Sequence, residues 1–167
     1  MVQPIDKSGN FPTTRKDQRF PPRYNNQRKP TLGPGLNSIQ LIKKIAKTQL
    51  KNSRYVKIKS VQINKNKPLI KFTTVTYEPG QEPRTHVQRI YAADQTYKGP
   101  LYLCPAIKCA CSCGNWLFQW ETAGAYRGYS DIIYSNGDYP IETNPNLKPG
   151  VCKHLFKCLM YMVINKL

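Results

Sequence analysis

The feature that most constrains this chain is a pair of metal-ligand doublets in its second half. Cys111 and Cys113 lie two positions apart, and Cys152 and His154 follow with the same spacing after 38 intervening residues. Three thiolates and one imidazole form a complete tetrahedral ligand set for Zn²⁺, with no position left for water or substrate. The doublets therefore predict a structural zinc ion, because a catalytic ion needs an open coordination position.

The residues around each doublet indicate how the two halves of this site are held. Gly114 and Asn115 directly follow the first doublet and are typical of a tight turn. Pro149 and Gly150 precede the second doublet and indicate the point at which a helix begins. An apolar stripe with helical spacing then runs through Val151, Leu155, Leu159 and Met162. We therefore expect the ion to join a turn to the first turn of a C-terminal helix.

The chain contains six cysteines, which leaves other ligand sets open. Cys109 could take the place of Cys111, Cys158 could take the place of Cys152, and Cys104 is a further spare thiol. Buried free cysteines, which pack as small hydrophobic residues, are one alternative to a metal site. Disulfide bonds are another, since the count is even. The first residues lack the charged and apolar regions of a secretory signal, so we expect a reducing compartment, where metal binding is favoured over disulfides.

The spacing C-x-C followed by C-x-H resembles that of the SWIM zinc finger, over residues 105–167. The resemblance maps Cys111, Cys113, Cys152 and His154 onto the four SWIM ligands and implies a small zinc module that binds DNA or protein. The interval of 38 residues between the doublets is longer than the family leads us to expect.

A second similarity lies in the segment 135–142, which reads S-N-G-D-Y-P-I-E. Together with the second doublet, this segment is similar to small SWIM-type structural proteins of contractile-tailed phages. The similarity implies a virion protein of the neck, tail or baseplate that is assembled in the host cytoplasm.

Positive charge is concentrated in the first half of the chain, whose total net charge is +17. Residues 1–71 contain 17 Lys and Arg against two acidic residues, whereas residues 72–167 contain nine against seven. Such asymmetry predicts a polyanion or an acidic protein surface as the partner. No stretch of about 18 apolar residues is present, so we expect no membrane span.

Residues 1–35 have the composition of an extended arm, with six prolines and few aliphatic side chains. Such a segment buries too little apolar surface to fold alone and favours polyproline-like paths. Its cations and aromatic rings suit either phosphates and stacked bases or grooves on other proteins, and a solvated tail is the alternative. The candidate partner- or nucleic-acid-binding residues are Phe11, Arg15, Lys16, Arg19, Phe20, Arg23, Tyr24, Arg28 and Lys29.

Residues 36–167 are predicted to form one zinc-stapled α+β domain, with a helix and a β-meander over 36–104 and the zinc module over 105–167. Asn37 and Gln40 predict a capping box at the start of a basic amphipathic helix over 37–50. Lysines in the first hairpin form either a basic sheet face or protection against edge pairing. The expected strands of the antiparallel meander are 54–63, 69–77, 85–92 and 97–104.

The interval between the doublets is rich in aromatic residues. The segment 116–120 predicts a short strand, 123–128 a loop and 131–134 another strand. Trp116 and Trp120 are expected to pack against the zinc core, and a base-stacking platform is the alternative. His86, in the third predicted strand, is expected to be a core or surface residue rather than a ligand.

The motifs of several enzyme classes are missing. The chain contains no glycine-rich phosphate loop, no G-x-S-x-G nucleophile elbow and no H-x-E beside the cysteines. We therefore expect no enzyme and no small-molecule substrate. The composition of the arm and the similarity to phage proteins imply instead a structural component of a large assembly that tethers neighbouring subunits through its arm. The alternative is a SWIM-type nucleic-acid-binding module, or a ribosome-type RNA-binding protein, in a cytoplasmic nucleoprotein.

Overall fold

The architecture consists of one four-stranded antiparallel sheet with helices packed against one of its faces. The computed structural model describes residues 34–64 and 66–167. The arm residues predicted to bind partners, between positions 11 and 29, lie outside this range. The described part of the chain is an α+β fold with a sequential meander, which agrees with the predicted class.

The strands follow one another in the sheet in chain order. They are β1 (Val56–Ile63), β2 (Leu69–Thr76), β3 (Arg84–Ala92) and β4 (Ile107–Cys111). The α-helices are α1 (Ser38–Ile42), α2 (Lys47–Asn52), α3 (Glu121–Tyr126) and α4 (Lys153–Ile164). Among the described residues, no helix is both long enough and apolar enough to cross a membrane.

One face of the sheet forms the core because alternate residues of each strand point toward α4. Phe72 of β2 lies opposite Gln88 of β3, which in turn lies opposite Cys111 of β4. All three residues are buried. Helix α4 covers this face with its own apolar stripe, Leu155, Leu159 and Met162, each of which is fully buried. The site residues on the strands therefore face the start of α4.

The basic helix predicted over 37–50 is divided into α1 and α2. Its start is as expected: the Asn37 side chain accepts the Gln40 backbone N–H at 2.9 Å, and the Gln40 side chain accepts the Asn37 N–H at 2.9 Å. The first helix ends at its C-cap, Lys43, four residues before the second begins at Lys47. Ala46 is extended and starts the second helix.

The strand predicted over 97–104 is wrong. This segment contains a short 3₁₀ turn, Leu101–Leu103, and the fourth strand is β4, which begins at Ile107. Pro100 has no backbone N–H to donate to a ladder, so it interrupts an extended run here. The sheet resumes after this turn and carries Cys109 and Cys111 into the core.

The strands predicted over 116–120 and 131–134 are also wrong, and so is the loop predicted over 123–128. Residues Trp116–Trp120 form one π-helical turn that continues into α3. Helical geometry places Trp116 and Trp120, four residues apart, on one buried face, whereas a strand would bury them only with their exposed neighbour Phe118.

The segment that follows α3 is held by a carboxylate instead of by a strand partner. The buried Glu121 side chain accepts backbone N–H groups of Ile133 at 3.2 Å, Tyr134 at 3.1 Å and Ser135 at 2.6 Å. These hydrogen bonds satisfy the N–H groups that a β-ladder would otherwise pair. The residues 131–134 therefore remain irregular.

Candidate metal centre

The four predicted ligands come together in a single buried cluster. The ligand atoms of Cys111, Cys113, Cys152 and His154 all lie within 4.8 Å of one another, and all four residues are buried. Zn–S bonds of about 2.3 Å in a tetrahedron separate the sulfur atoms by about 3.8 Å. The cluster therefore surrounds a space that is suited to one metal ion.

Three secondary-structure elements place these side chains. Cys111 is the last residue of β4, and Cys113 follows two positions later, immediately before the helical stretch 114–126. Cys152 is the N-cap of α4, and His154 lies in its first turn. The predicted helix start is thus found at the cluster, whereas Gly114 and Asn115, predicted to form a turn, begin the helical stretch 114–126.

Each of the three thiols receives one hydrogen bond from outside the cluster. The Gln88 side-chain amide donates to Cys111 Sγ at 3.5 Å. Backbone N–H groups donate to the other two, from Trp116 to Cys113 Sγ at 3.4 Å and from Leu155 to Cys152 Sγ at 3.5 Å. Such bonds favour the thiolate form of a cysteine, which is the form that binds a metal. The two backbone donors belong to the starts of helices, where the partial charge is positive.

His154 has one satisfied and one free ring nitrogen. Its Nε2 atom lies 2.7 Å from the hydroxyl oxygen of Thr76. Its Nδ1 atom is buried and has no hydrogen-bond partner among the described residues. A buried polar atom without a partner is costly, and a hydrogen bond from Nε2–H to Thr76 leaves the Nδ1 lone pair available. The imidazole is therefore arranged as a metal ligand through Nδ1.

The protonation of the cluster is shared among the three thiols. Burial raises the pKa of Cys111 and of Cys152. Hydrogen bonds from these two thiols instead lower the pKa of Cys113. A divalent metal ion that binds all three sulfur atoms must displace protons, which makes its affinity depend on pH.

The remaining cysteines lie outside the cluster. Cys104 donates to the carbonyl oxygen of Ala106 at 3.1 Å, and Cys158 lies 3.7 Å from the side-chain oxygen of Gln88. Cys109 is fully buried in the core. All six cysteines are unpaired, so no disulfide links them. The alternative ligand sets with Cys109 or Cys158 are not the ones that the fold brings together.

Sequence analysis missed two residues that support the site, Thr76 and Gln88. Both are polar residues at inward-facing strand positions, and both are buried. Gln88 also donates to the Thr74 hydroxyl at 2.9 Å. The sequence does mark both residues, because each is polar at a strand position where the alternating pattern calls for an apolar side chain. A buried polar side chain at such a position needs a hydrogen-bond partner.

His86 stacks beside the cluster without belonging to it. The centroid of its ring lies 4.5 Å from that of His154, with an angle of 51° between the two planes. Burial, and then the neighbouring His154, lower the pKa of His86 below its ordinary value. The ring therefore packs against a ligand as a neutral group at neutral pH.

Comparison with known proteins does not extend this description. No family model, no curated protein and no solved structure matches the chain.

Proposed function

We propose that this protein is a non-enzymatic structural component of a large assembly, of the kind found in the virions of tailed phages. In this proposal a Zn²⁺ ion bound by Cys111, Cys113, Cys152 and His154 stabilises residues 105–167 as a SWIM-like module and joins the end of β4 to the start of α4. The basic arm tethers neighbouring subunits.

The observation that carries the proposal is the closed character of the metal cluster. Cys111, Cys113, Cys152 and His154 supply the four ligands that a tetrahedral zinc site needs, and each has one further hydrogen bond with the surrounding fold. The ligands also connect parts of the chain that are far apart in sequence, since β4 ends at the first doublet and α4 begins at the second. An ion at this position would fasten the sheet to its main covering helix.

A second candidate function, nucleic-acid binding, is favoured by the outer face of the sheet. Lys71 of β2 lies directly opposite Arg89 of β3, and Lys57 of β1 is on the same face. All three are exposed, and none forms an ion pair with a described residue. Like charges directly opposite each other destabilise a sheet, and a bound phosphate backbone would relieve this repulsion.

Sedimentation of the native protein from its natural source, with and without nuclease, tests the proposal and separates the two functions. A structural component of a protein assembly remains in a large particle after nuclease treatment, and mass spectrometry of that fraction identifies the neighbours. Release as a small species by nuclease would contradict the proposed function and support the nucleic-acid-binding alternative.

A further inference from the structure

An open groove with aromatic walls lies on the surface of the described part of the molecule. It is formed between the start of the helical stretch 114–126 and the segment 134–143, and has a volume of about 550 Å³. We call it the aromatic groove; its apolar lining residues are Leu117, Phe118, Tyr134, Tyr139, Pro140 and Ile141. Phe118 is 70% exposed, although its neighbours Trp116 and Trp120 are buried. A phenyl ring this exposed beside other aromatic rings is typical of a binding surface.

The walls of the aromatic groove are held in place by hydrogen bonds to the helical stretch. The Thr143 hydroxyl donates to the carbonyl oxygen of Phe118. The Gln119 side-chain amide donates to the backbone carbonyl oxygen of Thr143 at 3.3 Å. The buried Glu121 carboxylate holds the backbone of Tyr134 from the other side. A groove with fixed walls binds a ligand without the entropic cost of ordering them.

The charge of the aromatic groove is opposite to that of the molecule. The whole chain contains 26 Lys and Arg and only nine Asp and Glu. The described residues that line the groove nevertheless include two carboxylates, Asp138 and Glu142, and no Lys or Arg. Both carboxylates are exposed. The groove therefore suits a ligand that combines cations with proline or aromatic rings.

A segment with this chemistry is present in the same chain. Residues 19–23 read R-F-P-P-R, with two prolines between two arginines. Polyproline segments bind in aromatic-lined grooves because their extended conformation loses little entropy on binding, and flanking arginines pair with carboxylates. We propose that the aromatic groove binds residues 19–23 of its own chain.

The path of the chain makes binding within one molecule favourable. Gly35, at φ +80°, packs so closely that a Cβ atom there would lie 3.0 Å from Ala106 Cβ and 3.3 Å from the carbonyl oxygen of Gly128. The arm thus joins the body near Gly128, just beyond the end of the helical stretch. That end, at Tyr126, lies about 12 Å along the helix axis from Phe118, at 1.5 Å per residue. The 11 residues between Arg23 and Gly35 reach about 34 Å in a polyproline conformation. The short tether gives the arm a high effective concentration at its own groove.

Site-specific photocrosslinking in the full-length chain tests this proposal. Phe118 is replaced by the photoreactive p-benzoylphenylalanine, and the products are separated by size and mapped by mass spectrometry. Ile164, which is also 70% exposed and lies outside the groove, is the matched control position. We expect position 118 to crosslink to peptides that contain residues 19–23, in a product of monomer size, and position 164 not to do so.

Arm variants show whether the crosslink depends on the proposed contacts. Arg19→Ser with Arg23→Ser should reduce the crosslink about tenfold, the combined effect of two exposed ion pairs. Arg15→Ser with Lys16→Ser removes the same amount of positive charge but should leave the crosslink yield unchanged. A product of dimer size, a crosslink to other residues, or equal yields from the two arm variants would overturn the proposal. The proposal assigns only residues 19–23 to the groove and leaves the tethering of neighbours to the rest of the arm. Because this measurement uses the isolated chain, its outcome is independent of whether the native protein sediments in a large particle.

Discussion

The two faces of the same sheet have opposite chemistry. On the inner face, Thr76 and Gln88 are buried polar residues, and each makes a hydrogen bond to a residue of the metal cluster. On the outer face, Lys71 and Arg89 lie opposite each other and are exposed, with no ion pair to a described residue. The inner polar groups are satisfied within the fold, whereas the outer charges are unsatisfied by it. The difference indicates that the inner face serves stability and the outer face is available for a partner.

The largest expected effect, and the first test of the inner face as a source of stability, is the effect of removing a metal ligand. Cys113→Ser should abolish stoichiometric zinc binding and unfold the body. The binding free energy of a structural zinc ion, about 10 kcal/mol or more, contributes directly to the free energy of folding and is lost with the ion. Metal analysis and circular dichroism measure the two effects. Cys109→Ala is the matched control, because Cys109 is equally buried but lies outside the cluster. A folded, metal-free Cys113→Ser variant would contradict the stapling role.

A smaller effect is expected from the hydroxyl that orients the histidine. Thr76→Val keeps the shape of the side chain but removes the acceptor for His154 Nε2–H. Loss of such an outer hydrogen bond typically lowers metal affinity about 10- to 100-fold. Competition titration with a zinc chelator measures the change. Thr73→Val, on the same strand but on the outer face, should leave zinc affinity unaltered; equal losses in the two variants would show that the inner face has no special role.

The fold was predictable where local patterns decide the structure. Alternation and turn residues located three of the four strands, and Asn37 with Gln40 located the first helix start. The doublets located the metal cluster because ligand type and spacing are local properties. The supporting residues were not predictable in this way: Gln88 lies 23 residues from Cys111, and Thr76 lies 78 residues from His154. Only the strand register and the packing of α4 bring them together.

The interval between the doublets was the least predictable region. Aromatic residues have high strand propensity, yet the segment 116–120 is helical and buries two tryptophans on one face. Residues 131–134 also have strand propensity, but Glu121 satisfies their N–H groups. Burial of the tryptophans overrode strand propensity in the first segment, and tertiary hydrogen bonds overrode it in the second.

The outer face is tested by nucleic-acid binding. Lys71→Ala with Arg89→Ala should lower the affinity for a random single-stranded DNA and reduce the slope of log K against log salt by about 0.7 for each phosphate that is no longer neutralised. The free energy of unfolding should stay constant or rise by a few tenths of a kcal/mol, since the two cations repel each other. Lys98→Ala, in an exposed loop, is the control for charge alone. If the double variant and Lys98→Ala have the same affinity and the same salt slope, the outer sheet face is excluded as the binding surface.

The smallest effect concerns the ion pair at the rim of the metal cluster. The hydrogen bond from Lys153 lowers the pKa of the Glu78 carboxyl in the folded protein. A lowered pKa stabilises the folded state above the ordinary carboxyl pKa, and this contribution disappears as the pH falls through the folded value. Glu78→Gln should therefore destabilise the protein by up to about 1 kcal/mol at neutral pH and by less in acid. Thermal unfolding at neutral pH and in acid measures this loss of stability. A loss of the same size at the two pH values would show that the charge of Glu78 is not the cause.

The central claim, a structural zinc ion with a complete protein ligand set, is tested most directly by X-ray absorption at the zinc edge on protein purified without added metal. We expect one zinc per chain with three sulfur ligands at about 2.3 Å and one nitrogen ligand at about 2.0–2.1 Å. A folded protein without zinc, or zinc with water and oxygen ligands in place of the three thiolates, would contradict the structural site.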